Sequence, residues 1–471
     1  MLEKIRFNQY MLISFFLFVI YTIGSTSFLL LSTSTGKKWI TIFFFIILMT
    51  FILIIFLFKI FHINYMSLSF LFVVLIFLFH FGQVISFVLT NGDAQVMKEN
   101  FFFILDFNIL TKAYLFSYIS MNLIVFGILL GSVFLNEKIK ENFRKKDNFL
   151  ILKKVSLAFI ILGLPVQVYI DYTKYKSAVT GNYLDVFNNQ VNGYVSELGL
   201  LFFAGTAGLI LYYSCYNKRK SSFILISVVL YLILSMASGG RGKQVIYILL
   251  YMYIYNNSIR KINWKNIVLY SLLGIIFFNF LVSIASFRLE TTKNISLFIQ
   301  IYMQSFKQNP IIGLVNEMGG TIQTVYQAIS QIDDSSKMGW GSTYINSVFS
   351  VFPNKGLFME SMIESLHYVK QLKGAALGGS IIGEVYYNFR YFGLFICPII
   401  GFFIQYVSTY FTNCLSSKSY LKFVVIVPLF VNFLWWTRDA FYGLVRSFLI
   451  TLLLASILLK IFKKIKFRSI I

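Results

Sequence analysis

The chain is poor in charge, in cysteine and in acid. Charged residues make up only 13% of its 471 positions against 58% hydrophobic, and mean hydropathy is +0.75. A soluble domain cannot hide that much apolar surface, because even large domains leave much of their area in water. The three cysteines, Cys215, Cys397 and Cys414, all fall in or beside apolar runs, which excludes a disulfide framework. Short segments of alternating polarity are missing, so a spanning β-barrel is excluded as well. The first apolar run is long enough to stay as a span, and no removable signal peptide is expected.

What the chain has instead is apolar runs of about 20 residues from end to end, the signature of a polytopic helical membrane protein. Acids are scarce, 18 against 41 Lys and Arg, for a net charge of +23. The basic residues gather in short segments between runs. The densest holds Lys138, Lys140, Arg144, Lys145, Lys146, Lys153 and Lys154. Such placement fixes membrane orientation and gives nucleic acid no footprint. The expected fold is all-α, with about twelve transmembrane helices, both termini cytoplasmic and one large extracytoplasmic loop containing amphipathic helices. Spans one to nine occupy residues 1–285, the loop 286–379, and spans ten to twelve 380–471. Span five is expected over Val155–Ile170, kinked at Pro165, followed by an outer loop over 171–197.

Within the large loop, Asn309–Pro310 reads as a cap followed by a first-turn proline. Ile311, Val315, Met318, Ile322, Val325 and Ile329 then recur at helical spacing. That helix is expected to lie across the outer ends of the bundle, bent at Gly319–Gly320.

Arginine use is the most informative pattern. Ten arginines stand against 31 lysines, and five of them, Arg241, Arg288, Arg390, Arg438 and Arg446, fall near outer membrane ends. There they gain nothing from the orientation rule, whereas a planar guanidinium binds phosphate oxygens bidentately. Arg438 and Arg446 are expected on one helical side with Tyr442 between them. Interfacial snorkelling, or pairing with Asp439 or Glu290, is the plainer alternative. Ser238–Lys243 flanks Arg241 with glycines that let a backbone approach an anion. It lacks the strand and spacing of a nucleotide-binding loop.

His367 follows Glu360 and Glu364 at helical spacing. The trio suits a general base tuned by a carboxylate, a divalent-metal site, or a solvated helix face. His80 is intramembrane and joins no set. Glu384, at the mouth of the tenth span, suits pairing with Arg390 or Arg438, service as a base, or a hold on a sugar hydroxyl.

On these features the chain resembles the Wzy-type polysaccharide polymerases, relatives of the O-antigen ligases. The resemblance is carried by the glycine–arginine turn at Ser238–Gly242, by Arg288 after the next outward span, by a large outer loop with a late histidine at His367, and by the stretch Gly378–Phe389 with Glu384, Tyr387 and Asn388. It implies a glycosyltransferase of the bacterial inner membrane that joins undecaprenyl-pyrophosphate-linked oligosaccharides without a cofactor or metal. Arg241, Arg288, Arg390, Arg438 and Arg446 would bind the pyrophosphate. His367 or Glu384 would take the proton from the attacking hydroxyl, and Tyr387 and Asn388 would hold sugar. Its partners would be the lipid bilayer and, from the same pathway, a chain-length regulator and a flippase. A lipid-linked oligosaccharide flippase and an O-antigen-type ligase are the rival readings.

Overall fold

The computed structural model describes residues 2–32, 36–92, 101–135, 149–180, 193–236, 242–261, 294–307, 310–332, 338–349 and 379–468, with positions 274, 276, 279, 280 and 283 between. All regular structure among these residues is helical. In chain order the helices are α1 (Leu2–Leu31), α2 (Gly36–Ile60), α3 (Leu68–Leu89), α4 (Phe107–Leu135), α5 (Phe149–Thr180), α6 (Gly193–Tyr216), α7 (Lys218–Met236) and α8 (Gly242–Ser258). There follow α9 (Ile295–Lys307), α10 (Pro310–Met318), α11 (Ile322–Gln331), α12 (Ser342–Phe349), α13 (Ile381–Phe389), α14 (Cys397–Ser416), α15 (Tyr420–Trp436) and α16 (Phe441–Arg468).

Among the described residues, eight helices are long and apolar enough to cross a membrane, or nine if the bent pair ending in α14 counts as one span. The expected twelve are not all accounted for among the described residues. Helices α8 and α15 have 17 residues each, and most of the expected ninth span, 266–285, lies outside the described residues. Helices α1 and α2 keep much of their apolar surface exposed, as faces that meet lipid do, whereas α3, α4, α6 and α15 are mostly enclosed. Inside the bundle, polar side chains pair across helices. Thr206 bonds Tyr251 at 2.6 Å, Thr50 bonds Tyr118 at 3.0 Å and Ser69 bonds Ser408 at 3.2 Å. In hydrocarbon each would otherwise be an unsatisfied polar group.

One face of the bundle is basic. Lys153 lies over the Tyr212 ring and Lys220 over Tyr213, while Phe149 touches both Tyr216 and Tyr420. The start of α5, the α6–α7 junction and the start of α15 therefore meet at that face. The other ends of α3, α5, α7 and α15 meet the beginnings of α4, α6, α8 and α16 at the opposite face, where the candidate site lies.

Helix α5 corrects the expected span and loop. It runs for 32 residues, with Pro165 inside it, through what reads as the start of an outer loop. Gln167 ties down Asp171 one turn on, at 3.2 Å, and the helix continues.

The broken helix after Pro310 forms as its periodicity predicts, with a 3-10 turn at Gly319–Thr321 between α10 and α11. It docks against α3, α4 and α13, with Ser86 near the end of α3 bonded to Asn316 and the Asp106 N–H at the start of α4 donating to Tyr326, and Ile322, Val325 and Ile329 are buried. Gly82 and Gly319 allow this, because a Cβ on either would strike the other segment's backbone. Thr324 is buried too.

The tenth expected span is also corrected. The chain from Ile381 does not run on as one continuous helix. Arg390–Phe395 is a 3-10 turn, and the segment Ile381–Phe395 meets α14 at 93°. Arg390 ends α13 with φ of 50°, a left-handed conformation that terminates a helix.

Candidate active site

The site is built where the crosswise helix α13 meets the turn between α15 and α16. Ser380 caps α13, its hydroxyl accepting from the Gly383 N–H at 3.1 Å. The same hydroxyl lies 2.8 Å from Nε2 of His80, 300 residues earlier on α3. Nδ1 of His80 lies 3.0 Å from the Ile76 carbonyl. A carbonyl only accepts, so Nδ1 carries the proton and Nε2 of the neutral ring accepts from Ser380. A buried histidine thus fixes the start of α13. The signal for it was in the sequence, since an ionisable residue in mid-span calls for a partner.

Glu384 sits in the first turn of α13 and is 0% exposed. Its Oε2 accepts from the Phe441 backbone N–H at 2.9 Å and from Trp436 Nε1 at 3.3 Å. The expected pairing with Arg390 or Arg438 is not what holds it. Phe441 opens α16, so its amide has no partner inside that helix, and a carboxylate there also suits the positive end of the helix dipole. Oε1 has no hydrogen-bond partner among the described residues, with the Thr343 side chain beside the carboxylate. Trp436 and Tyr344 both pack on Phe441, at ring separations of 5.0 and 5.3 Å, and Tyr344 stacks on Phe389. Gly379 rests on the turn itself: a Cβ there would meet the Asp439 carbonyl carbon at 2.5 Å and the Ala440 nitrogen at 2.6 Å.

Helix α12 closes over α13. The Asn388 amide donates to Thr343 Oγ1 at 2.7 Å and to the Glu384 carbonyl at 2.8 Å, and the Gly339 N–H donates to the Tyr387 carbonyl at 3.0 Å. Asn388 is fully buried and its amide is committed to this clamp, while Tyr387 is half-buried.

The turn brings the charges together. Arg438 places its guanidinium 5.7 Å from the centre of the Phe79 ring, next to His80 on α3. Lys243 lies 5.7 Å over Trp435. Asp439 is held above the usual carboxylate range by burial, opposed by Lys243, the Ala440 N–H, the Trp435 side chain and Arg438. Tyr442 lies within electrostatic reach of Asp439, Arg446, Glu197 and Glu384, which makes these one neighbourhood. Glu197, at the start of α6, is bonded by Ser447 and feels Lys243 and Arg446. Helix α16 begins only at Phe441. Arg438 and Arg446 thus share a cluster, but not a helix.

Of the expected site residues, Glu384, Arg438 and Arg446 come together here. Arg390 stands six residues from Glu384, about 9 Å along the helix. It lies beside Tyr386, which packs on Phe116 of α4. Arg241, Arg288 and His367, with Glu360 and Glu364, lie outside the described residues. Lys243 and Glu197 were not foreseen as members. Lys243 ends the glycine–arginine turn, and Glu197 is a lone acid at the start of an apolar run.

A family model described as O-antigen polysaccharide polymerase Wzy matches residues 9–468. The chain belongs to that family. It is a multi-pass membrane enzyme of the glycosyltransferase type, a polymerase of O-antigen repeat units, and acts on lipid-linked oligosaccharides in the membrane. No curated protein and no solved structure matches the chain. For a polymerase of this family, the neighbourhood of Glu384 offers a buried carboxylate, fixed by neutral donors, next to a group of cations at the helix ends.

Proposed function

We propose that the face carrying α13 is the extracytoplasmic side of the bacterial inner membrane, and that repeat units are joined there. The opposite face carries the basic junctions, which favours a cytoplasmic position for it and for both termini. In this reading Arg438 and Arg446, with Lys243, bind the pyrophosphate of an undecaprenyl-linked chain, and Arg241 and Arg288, which lie outside the described residues, are assigned the same task from the sequence alone. Guanidinium groups suit that task because they meet phosphate oxygens two at a time and take up charge as the leaving group departs.

The proton acceptor is Glu384, and the observation that carries this assignment is its burial beside the Arg438 turn with one oxygen fixed and the other unpartnered. A hydroxyl of the acceptor sugar attacks the anomeric carbon of the donor. As the new glycosidic bond forms, the bond from that carbon to the pyrophosphate oxygen breaks and its electron pair leaves with the undecaprenyl pyrophosphate. The hydroxyl proton passes to Glu384. Holding both lipid-linked substrates in one cleft supplies proximity. Because Glu384 is covered, α12 must lift for the acceptor to reach it, which makes the Thr343–Asn388 clamp the latch of a lid. Asn388 acts in that latch, and Tyr387 is left as the sugar-facing residue. No step calls for a metal or a cofactor.

Purified protein given lipid-linked repeat units makes a ladder of lengths, with or without chelator. A flippase makes none, and a ligase makes a single transfer product without a ladder. Arg438→Ala, Arg241→Ala and Arg288→Ala each abolish the ladder while the protein still inserts in the membrane. Unchanged ladders from all three would remove the arginine clamp.

A further inference from the structure

Ala440 and Phe441 stand next to each other where α16 begins, and their backbone N–H groups go to different carboxylates. The Ala440 N–H donates to Asp439 Oδ1 at 2.8 Å and the Phe441 N–H to Glu384 Oε2 at 2.9 Å. Two adjacent indoles repeat the arrangement from the end of α15. Trp436 Nε1 donates to Glu384 at 3.3 Å, and the Trp435 side chain bonds Asp439. Consecutive Cα atoms are about 3.8 Å apart, so donors on adjacent residues bring the two carboxylates side by side. Gly379, at the start of α13, permits the approach, since a Cβ there would meet the Asp439 carbonyl carbon at 2.5 Å.

The two acids differ in access and in charge. Glu384 is 0% exposed and held by neutral donors. Asp439 is half-buried and feels Lys243 and Arg438. Its Oδ2 lies beside Gly443, 3.5 Å from where a Cβ would stand, so no side chain at that position covers it. Tyr442, Arg446 and Glu197 complete the neighbourhood. Paired carboxylates in unlike surroundings divide the handling of a proton between them. A sealed base that has taken a proton must lose it before the next bond can form. The acceptor sugar fills the side on which Oε1 is left over, so the way out is on the Oε2 side, where Asp439 stands.

We propose that Asp439 is the proton outlet of the site, receiving from Glu384 the proton of the acceptor hydroxyl and passing it to the departing pyrophosphate held at Arg438. When the bond from the anomeric carbon breaks, its electron pair stays on the pyrophosphate oxygen. That oxygen takes the proton, and both carboxylates return to the ionised form. The proposal rests on the reading of Glu384 as the proton acceptor and adds the step that resets it.

The test counts glycosidic bonds per enzyme by rapid quench, with purified full-length protein in detergent and lipid-linked repeat units. Asp439→Asn keeps an oxygen for the Ala440 N–H but cannot carry the proton. After equilibration it is expected to form the first bond at the parental rate and later bonds roughly a hundredfold more slowly. Added imidazole, a small proton carrier, should speed the later bonds in proportion to its concentration, and Asp439→Glu should restore them in part without it. Asp439→Ser, which also caps a helix, is a second variant without the carboxylate and should behave like Asp439→Asn. Later bonds as fast as the first in both variants overturn the proposal. So does equal slowing of all bonds, or a slow phase that imidazole leaves unchanged, the mark of a purely structural defect. Glu384→Gln acts on the first bond instead. A parental first bond in that variant would remove the base assignment, whereas loss of the slow phase in Asp439→Asn would remove the outlet alone.

Discussion

Replacing Glu384 by glutamine separates chemistry from architecture. The carboxylate has two tasks in the structure: Oε2 receives the Phe441 N–H at 2.9 Å and Trp436 Nε1 at 3.3 Å, and Oε1 is left over. Glutamine keeps an oxygen for both donors, and its NH2 can donate to the Thr343 hydroxyl beside it. The fold should lose only the difference between charged and neutral hydrogen bonds, about 1 kcal/mol. The power to take a proton vanishes, and polymerisation should fall by roughly a hundred- to ten-thousandfold. Alanine gives the contrasting result. It leaves two buried donors without a partner, at about 1–3 kcal/mol each, and opens the start of α16. Glu384→Ala should therefore be both inactive and clearly less heat-stable, whereas Glu384→Gln should be inactive and nearly as stable as the parent. Ladder formation from lipid-linked repeat units and thermal unfolding in detergent measure the two effects. A glutamine variant that polymerises at close to the parental rate would refute the reasoning and leave Glu384 as a cap for α16.

Other outcomes follow from single contacts. Gly379→Ala should cost about 1–3 kcal/mol and most of the activity, because its Cβ presses on the Asp439–Ala440 backbone and turns α13 away from the cations; unfolding temperature and ladder yield report it. His80→Ala removes the acceptor of the Ser380 hydroxyl and should destabilise by about 1–3 kcal/mol. Combined with Ser380→Ala the loss should be clearly less than additive, and full additivity in a double-mutant cycle would show that the two act apart. Asn388→Ala unlatches α12 from α13, so the Gly339–Phe349 segment should become sensitive to protease and KM for the acceptor should change. An unaltered cleavage pattern would show that α12 is held by other contacts.

The membrane class and the all-helical fold were legible in the sequence, because each rests on a local signal. An apolar run of about 20 residues has one comfortable solvent and one way to satisfy its backbone there. The helix after Pro310 and its break at two glycines were legible for the same reason. The periodicity of Ile322, Val325 and Ile329 says which face is buried, yet it cannot say whether membrane or neighbouring helix buries it. Only the contact of Gly82 with Gly319 decided that.

The site shows the limit more sharply. Sequence singled out Glu384, Arg438 and Arg446, which the structure brings into one neighbourhood, and Lys243 falls within a turn it had already noted. It did not join His80 to Ser380, or turn Glu384 toward Phe441 rather than an arginine. Those pairings span 300 and 57 residues, and nothing in a local pattern specifies which end of one helix will meet the middle of another. Composition and spacing determined that this protein lives in a membrane and carries arginines and lysines near helix ends. The packing of α13 across those ends decided which groups meet, because hydrogen bonds between distant segments form only once the bundle has brought their partners within reach.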